Sequence, residues 1–318
     1  MINAWEQDTW RLTPAKNGKY SYQETLALSQ KINWRIEDII GGDKKLNYKL
    51  QFMPESLARV DQLTFLTPGE RRTLNQIRGH AYLCIFGLVE EFILPFIMDH
   101  ARPNLQGDDY RVRALLQFAG EEAKHIQLFK RFREEFQRDF GVTCSVIGPP
   151  ESIAKAILAH DPLSVALTIL HIEWMTQRHY LESVQDNQFL DPQFKSLLRN
   201  HWIEEAQHAK LDTLMIEALS EGRGKKEIES AVEGYIEIGG FLDGGLSLQT
   251  QFDMESFMLA SGRKLTEGER MEFLRVQHQA NRWTYLGTGM THPNFLSTLE
   301  NLMPEARERV EGIAPAFC

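Results

Sequence analysis

The chain has 318 residues, of which 42% are hydrophobic and 25% charged, a composition that excludes a disordered or fibrous protein. The net charge of -9 argues against nucleic acid or an anionic membrane as the main partner, because both require a dense basic face. The three cysteines, Cys84, Cys144 and Cys318, show no Cys-x-x-Cys spacing. We therefore expect a reducing compartment, without a disulfide framework or a thiolate zinc site.

The first residues lack the basic start and apolar run of a signal peptide. The longest apolar stretch, residues 81–98, is interrupted by Glu90 and Glu91 and falls short of a membrane span. The sequence therefore predicts a cytoplasmic protein with no membrane and no nucleic-acid partner.

The first part of the chain predicts an arm and two helices. Residues 1 to about 20 are polar and predict an irregular arm, and the apolar period of 22–40 predicts a helix that stops at Gly41-Gly42. A loop is expected over 43–53. Thr67-Pro68-Gly69-Glu70 is a capping box with proline at the first helical position, and it predicts a helix to about Ile97. The middle of that helix is apolar all round, which is typical of the inside of a bundle.

Further helix starts follow along the chain. Gly107-Asp108-Asp109 opens a helix to about Phe140, and Gly148-Pro149-Pro150 breaks the chain. Two N-cap aspartates followed by proline start the next two long helices, and a segment with two glycine pairs predicts a loosened fifth one. Another capping box starts a helix to about Tyr285, and two prolines punctuate a helical tail. The two aspartate caps are Asp161-Pro162 and Asp191-Pro192, and the segment with the glycine pairs is Glu227 to Leu259. The capping box begins at Thr266, and the prolines of the tail are Pro293 and Pro304.

We find no strand-like alternation of useful length, so the chain is predicted to be nearly all-α. Three segments are expected. Residues 1–64 form an arm and a helix that pack on the body, 65–260 form a helical bundle, and 261–318 form a helical extension.

Two helices carry the motif Glu-x-x-His, as Glu122-x-x-His125 and Glu205-x-x-His208. Positions three or four apart share a helix face, so the two side chains of each motif reach the same point. Di-iron and di-manganese bundles combine two such motifs with a single glutamate from each of two further helices. Glu90 and Glu173 lie in apolar helices and complete that set. Unpaired, such buried carboxylates would cost several kcal/mol or more.

The spacing supports pairing of these helices as hairpins. Glu90 and Glu122 are 32 positions apart, and so are Glu173 and Glu205. Glu91 gives 31, so Glu90 is favoured as the ligand, with Glu91 as the alternative. Glu121 and Glu204 precede the motif acids and point about 100° away from them. We expect these two to be exposed, or to support the ligands without binding metal.

His201 stands one turn before Glu205 on the same face. A simple di-iron bundle does not need a third imidazole, so His201 is either a further metal ligand or a histidine satisfied in the core. His80, His171, His179 and His278 lack acidic partners at ligand spacing and are interpreted as core or surface residues. Tyr82, Trp174 and Trp202 are expected to pack the core, although they also lie near the ligands in sequence.

Over residues 65 to 260 the chain resembles the p-aminobenzoate N-oxygenase family of di-iron oxygenases. The resemblance rests on His201-x-x-x-Glu205-x-x-His208, on Glu122-x-x-His125, and on Glu90 and Glu173. It implies a ferritin-like four-helix bundle whose di-iron site uses four carboxylates and three histidines. It also implies reaction with dioxygen through a peroxo intermediate and oxygenation of a substrate amine, with electrons from an external donor.

We assign Glu90, Glu122 and His125 to one iron and Glu173, Glu205, His208 and His201 to the other. Glu122 and Glu205 are expected to bridge the two irons and so to be the central catalytic residues. A mixed Mn/Fe cofactor and a homodimer remain open. Alternative functions are oxidation of a fatty acyl or aldehyde substrate and ferritin-like iron binding without catalysis, while a purely structural bundle would leave four acids unpaired.

Overall fold

The computed structural model describes residues 20–318, so almost all of the predicted irregular arm lies outside the described residues. Within them the chain is helical, with two isolated β-bridges and no longer strand. The α-helices are α1 (Tyr22–Ser29), α2 (Glu55–Ala58), α3 (Pro68–Ala101), α4 (Asp109–Asp139), α5 (Pro150–Leu158), α6 (Pro162–Arg178), α7 (Pro192–Ser220), α8 (Lys225–Ser261), α9 (Glu267–Arg282), α10 (Thr288–Met290), α11 (Pro293–Leu302) and α12 (Pro304–Ile313). The predicted all-α fold is confirmed.

The helix starts lie where the capping signals predict them. The Thr67 hydroxyl accepts a hydrogen bond from the Glu70 amide, and the Glu70 carboxylate accepts one from the Thr67 amide. The Asp161 and Asp191 side chains cap α6 and α7, and proline is the first residue of each of these helices. Each cap satisfies backbone donors that a helix leaves without a partner at its start.

The predicted helix over 22–40 is wrong in its extent, because α1 ends at Ser29. The Ser29 hydroxyl donates a hydrogen bond of 2.5 Å to Glu121 on α4, which anchors this end of α1 beside the bundle. Ile39 and Ile40 are buried in the core after an irregular segment with a single 3₁₀ turn, Ile36–Asp38. Packing against distant parts of the chain therefore decides the structure of residues 22–40, although their apolar residues recur with a helical period.

Two other details differ from the sequence prediction. Helix α8 runs without a break through the two glycine pairs that were predicted to loosen it. Two π-helical segments also occur, His179–Val184 directly after α6 and Trp283–Gly287 directly after α9. Short π-helical segments are rare and often lie at functional sites.

Helices α3, α4, α6 and α7 form the bundle that carries the predicted ligands, and in it α3 packs on α4 and α6 packs on α7. His80 stacks on Phe136, whereas Glu90 lies near His125, so α3 and α4 run in opposite directions. One continuous hydrophobic core extends from Leu26 to Ala314 and crosses all three predicted segments. The division at residues 64 and 260 remains a prediction.

Helix α3 is long and apolar enough to cross a membrane by length and composition. Its most apolar window is 78% buried inside the bundle, so within the described residues it is a core helix. The cytoplasmic location remains a prediction.

Candidate metal centre

Buried acids and imidazoles from all four bundle helices meet in the middle of the fold. Helix α3 contributes one acid, α4 contributes one Glu-x-x-His motif, α6 contributes one acid, and α7 contributes a histidine followed by the second motif. Seven side chains, each at most 2% exposed, were predicted as ligands: Glu90, Glu122, His125, Glu173, His201, Glu205 and His208.

Two carboxylates span the cluster. Glu122 places Oε2 3.5 Å from Nδ1 of His125 and Oε1 2.8 Å from Nδ1 of His208. Glu205 places Oε1 3.0 Å from Nδ1 of His125 and Oε2 3.4 Å from Nδ1 of His208. Each carboxylate therefore directs one oxygen at His125 and the other at His208.

His201 lies in the same half as Glu90. Its Nε2 atom is 3.2 Å from Oε1 of Glu90 and 2.8 Å from Oε1 of Glu205. Atoms of Glu90, His125, His201 and Glu205 lie within 4.8 Å of one another, and so do atoms of Glu122, His125, Glu205 and His208. The sequence had grouped His201 with His208. These residues are seven positions apart on α7, so they flank Glu205 and reach opposite halves.

Glu173 is in neither of these two groups, but its carboxyl group interacts with Glu205 and with His208. Burial and the neighbouring Glu205 carboxylate raise the pKa of Glu173 well above the usual range. Glu91 lies outside the cluster and is partly exposed, and burial together with Glu151 raises its pKa. The acid of α3 that faces the cluster is thus Glu90.

Glu121 and Glu204 are buried, and each supports a histidine of the opposite motif. Nε2 of His208 donates to Oε2 of Glu121 over 2.9 Å, and Nε2 of His125 donates to Oε2 of Glu204 over 2.8 Å. These bonds fix the proton on Nε2 and leave Nδ1 free to face the cluster. Of the two roles considered from the sequence, support of the ligands agrees with this arrangement and exposure does not.

Asp212 is a buried acid that the sequence analysis missed. It lies one helical turn after His208 on α7, and neither of its carboxylate oxygens has a hydrogen-bond partner among the described residues. Burial raises its pKa well above the usual range, and the Glu122 and Glu205 carboxylates raise it further. Its spacing of four from His208 was the available signal.

The cluster has the donors that two divalent cations require. Several buried atoms that face it have no hydrogen-bond partner: both oxygens of Glu122, Oε1 of Glu205, Oε2 of Glu90 and Glu173, and Nδ1 of His125 and His208. Burying such atoms without a partner is costly. The four carboxylates, when ionised, carry the charge that balances two divalent ions, so the residues present fit a dinuclear metal group.

A contact chain leads from the cluster toward the surface. Lys124 lies 2.5 Å from the Glu204 carboxylate and 3.9 Å from the centre of the Trp34 ring. The Trp34 ring is parallel to that of His125 at 6.1 Å and is partly exposed. Trp34 was not singled out from the sequence, because its contact with α4 is long-range.

An apolar cavity of about 200 Å³ lies beside the cluster. Helices α3, α5, α6 and α8 and the second π-helical segment line it, with Val89, Ile172, Met175, Leu246 and Tyr285 among its walls. Phe86 also lines it and presents its ring edge-on to His201, with the centroids 5.6 Å apart. Phe86 therefore contacts both the cavity and the predicted ligand His201.

The remaining singled-out residues are mostly buried and bonded within the protein. Trp174 stacks on His292 and Trp202 stacks on Tyr180. His80 packs on Phe136, as described above, and the partly buried His278 pairs with Asp243 over 2.9 Å. These contacts agree with the predicted core and surface roles. Tyr82, His171 and His179 are bonded in the core and, as described below, connect to the cavity wall.

The chain is thus an all-α protein with a four-helix bundle that buries a cluster of carboxylates and imidazoles, and this donor set is the one found in ferritin-like di-metal proteins. Helix α3 brings Glu90, and α4 and α7 each bring Glu-x-x-His, into a buried cluster, and Glu173 of α6 interacts with Glu205 and His208 of that cluster.

Comparison with known proteins adds a likeness in fold. No family model and no curated protein matches the chain. Among solved structures, it is similar to a variant of R2-like ligand-binding oxidase with an aerobically reconstituted Fe/Fe cofactor, at 15% identity and a TM-score of 0.49, over 88% of this chain and 94% of that one. A variant with an anaerobically reconstituted Mn/Fe cofactor gives the same values. A third, with an aerobically reconstituted Mn/Fe cofactor, is 16% identical with a TM-score of 0.48 over the same shares of both chains.

Proposed function

We propose that the protein is an O2-activating non-haem di-metal oxidase or oxygenase that oxidises a small organic substrate, in the manner of the p-aminobenzoate N-oxygenases. The observation that carries this proposal is the set of buried, unpartnered oxygen and nitrogen donors on four helices. A structural bundle would gain nothing from burying these groups, whereas a pair of metal ions would use each of them.

The proposed ligand assignment follows the two halves of the site. Glu90, His125 and His201 would hold the first metal, Glu173 and His208 would hold the second, and Glu122 and Glu205 would contribute to both. Mixed carboxylate and imidazole donors suit Fe/Fe, which we propose as the cofactor, and also suit Mn/Fe. When bound, the metals supply the reducing electrons and the open coordination positions with which dioxygen is activated.

Residues next to the proposed ligands orient the imidazoles and limit access to the metal centre. Glu121 and Glu204 orient the imidazoles of His208 and His125 through the bonds to Nε2, so that Nδ1 stays directed at the metals. The apolar walls of the cavity exclude water from the side on which a substrate would approach. Phe86, which contacts both the cavity and His201, limits how closely a bound molecule comes to that histidine.

Oxygenation of a substrate by O2 requires a source of electrons. Insertion of one oxygen atom of O2 into a substrate, with reduction of the other to water, consumes two electrons and two protons beyond those of the substrate bond. We therefore propose an external electron donor, with dioxygen and the organic molecule as the small-molecule partners.

A fatty acyl or aldehyde substrate is the second candidate, because the cavity walls are almost entirely hydrocarbon. Such a lining favours an aliphatic chain at least as well as an aromatic amine. The same metal centre would serve either substrate, so the candidates differ in the cavity and not in the ligands.

Metal content and oxygen consumption test the proposal. We expect two metal ions per chain after anaerobic loading with Fe(II), and oxygen uptake that depends on an added electron donor. Glu122→Ala should lower metal content, whereas Glu134→Ala, at an exposed position on α4, should not. Less than one iron per chain after loading would refute the proposal. Shell-sized assemblies on gel filtration, with iron oxidation but no substrate oxidation, would instead identify an iron-storage protein.

A further inference from the structure

Tyr285 carries a hydroxyl group in a cavity whose other lining side chains are apolar. It lies in the π-helical segment Trp283–Gly287, with its ring 6.3 Å from that of Phe86. Among the described residues no hydrogen bond joins its hydroxyl to another group, and the hydroxyl oxygen is not among the fully buried atoms without a partner. This hydroxyl is therefore available to a molecule in the cavity.

Two buried histidines hold the backbone turn that presents Tyr285. Nε2 of His171 donates to the carbonyl oxygen of Tyr285 over 3.1 Å, and Nε2 of His179 donates to that of Thr284 over 3.0 Å. Because a carbonyl only accepts, both protons lie on Nε2. Each Nδ1 then accepts from a tyrosine hydroxyl, that of Tyr235 for His171 and that of Tyr82 for His179. The π-helical segment Trp283–Gly287 is thus held by hydrogen bonds to two successive carbonyl groups.

The same histidines tie the cavity wall to the metal centre. His171 lies on α6 two positions before Glu173, and His179 begins the π-helical segment after α6. A Cβ atom at position 289 would overlap the His171 ring, so the glycine at this position makes room for that ring. The position of Tyr285 therefore depends on the helix that carries one of the proposed metal ligands.

The lining selects against a charged ligand. Among the described residues no charged side chain lines the cavity, and Arg78 and Asp253, whose charges act on Tyr285, are buried and paired with each other at 3.4 Å. Moving an ionised head group into such a site without a counter-ion is costly. A neutral group needs one hydrogen bond, which Tyr285 can supply. Burial raises the pKa of Tyr285 far above neutrality, so its hydroxyl keeps the proton.

We propose that the cavity binds an uncharged, largely hydrocarbon molecule with a single hydrogen-bonding group, and that Tyr285 bonds to this group as a specificity-determining residue. That this molecule is the substrate rests on the proposed function. A carboxylate-bearing arylamine is then a poor ligand, whereas a neutral amine, alcohol or aldehyde is a good one.

Binding without turnover tests this inference separately from the oxidase proposal. The Fe(II)-loaded protein is titrated anaerobically with 1-octanol, octanoate and octylammonium, which share a chain and differ in head-group charge. We expect 1-octanol to bind at least about 10-fold more tightly than either ion, in line with the cost of burying a charge. Equal or tighter binding of octanoate would overturn the inference.

Tyr285→Phe isolates the hydroxyl. We expect it to weaken 1-octanol binding roughly 3- to 10-fold, the net worth of one hydrogen bond, and to leave ethylbenzene binding unchanged. Unchanged ethylbenzene binding also shows that the variant is folded with an intact cavity. If octanol binding is unaltered as well, Tyr285 does not contact the ligand and the proposal fails.

Leu246→Trp locates the site, because Leu246 lines the cavity away from the proposed ligands. Octanol binding should be lost while two irons per chain remain. Octanol binding that persists in this variant would place the molecule elsewhere and overturn the inference. A protein that binds octanol in this pattern but consumes no oxygen would refute only the proposed function.

Discussion

Nε2 of His208 donates a hydrogen bond to Oε2 of Glu121 over 2.9 Å, and His125 repeats this relationship with Glu204 at 2.8 Å. Each acid directly precedes the motif glutamate of one helix and supports the histidine of the other helix. The two Glu-x-x-His motifs are therefore interlocked, so the position of each imidazole depends on both helices.

Glu121→Gln and Glu204→Gln should weaken metal binding roughly 10- to 100-fold without removing a proposed ligand. The amide accepts less strongly than the carboxylate, so the imidazole is less firmly oriented and less basic. Competition with a coloured chelator measures the affinity. Glu134→Gln, on the exposed side of α4, is the matched control and should bind metal like the wild type. Equal affinity in all four proteins would show that these hydrogen bonds do not tune the site.

Asp212→Asn should have opposite effects with and without metal. In the metal-free protein at neutral pH it should raise the melting temperature, because burial and neighbouring carboxylates make the native Asp212 costly to ionise. In the loaded protein the stabilisation by metal should shrink, because a nearby negative charge is lost.

Thermal melts with and without Fe(II) under nitrogen measure both effects of Asp212→Asn. Asp186→Asn, at an exposed position, should change neither. Equal metal stabilisation of wild type and Asp212→Asn would mean that Asp212 is not part of the electrostatics of the centre.

Acid should destabilise the fold through buried neutral histidines. Burial lowers the pKa of His171 to about 4 and that of His179 to about 3. Their unfolded value is about 6.5, so the unfolded chain binds more protons and stability falls as the pH drops below that value. Each histidine contributes up to about 1.4 kcal/mol per pH unit to this loss.

Urea unfolding of metal-free protein between pH 7.5 and 5 measures the slope. His179→Gln should unfold more easily at every pH but show a shallower loss of stability on acidification. A slope unchanged in His179→Gln would contradict a neutral, buried His179.

Gly289→Ala should destabilise the protein by about 1–3 kcal/mol, because the added methyl group overlaps the buried His171 ring. Gly240→Ala is the control, since nothing lies within 4 Å of a Cβ atom at that exposed position in α8. It should instead stabilise the helix by about 0.5–1 kcal/mol. Thermal or urea unfolding compares the two variants, and equal stability would show that the contact with His171 relaxes without cost.

The sequence by itself determined the bundle helices and the acids and imidazoles on them. Capping at Thr67, Asp161 and Asp191 is local, because a side chain bonds to amides two or three residues away, so the sequence suffices to locate it. The face shared by Glu122 and His125 likewise follows from helix geometry alone.

Only the tertiary structure decided how these parts meet. Whether His201 joins Glu90 or Glu173, and whether Glu121 supports a histidine or lies in solvent, depends on how α4 and α7 are rotated about their axes. Trp34 was missed for the same reason, because the His125 and Lys124 side chains that it contacts lie far away in the chain. Asp212 differs, since its spacing of four from His208 was a local signal. Spacing along one helix fixes a face, whereas the partner of that face is set by packing between helices.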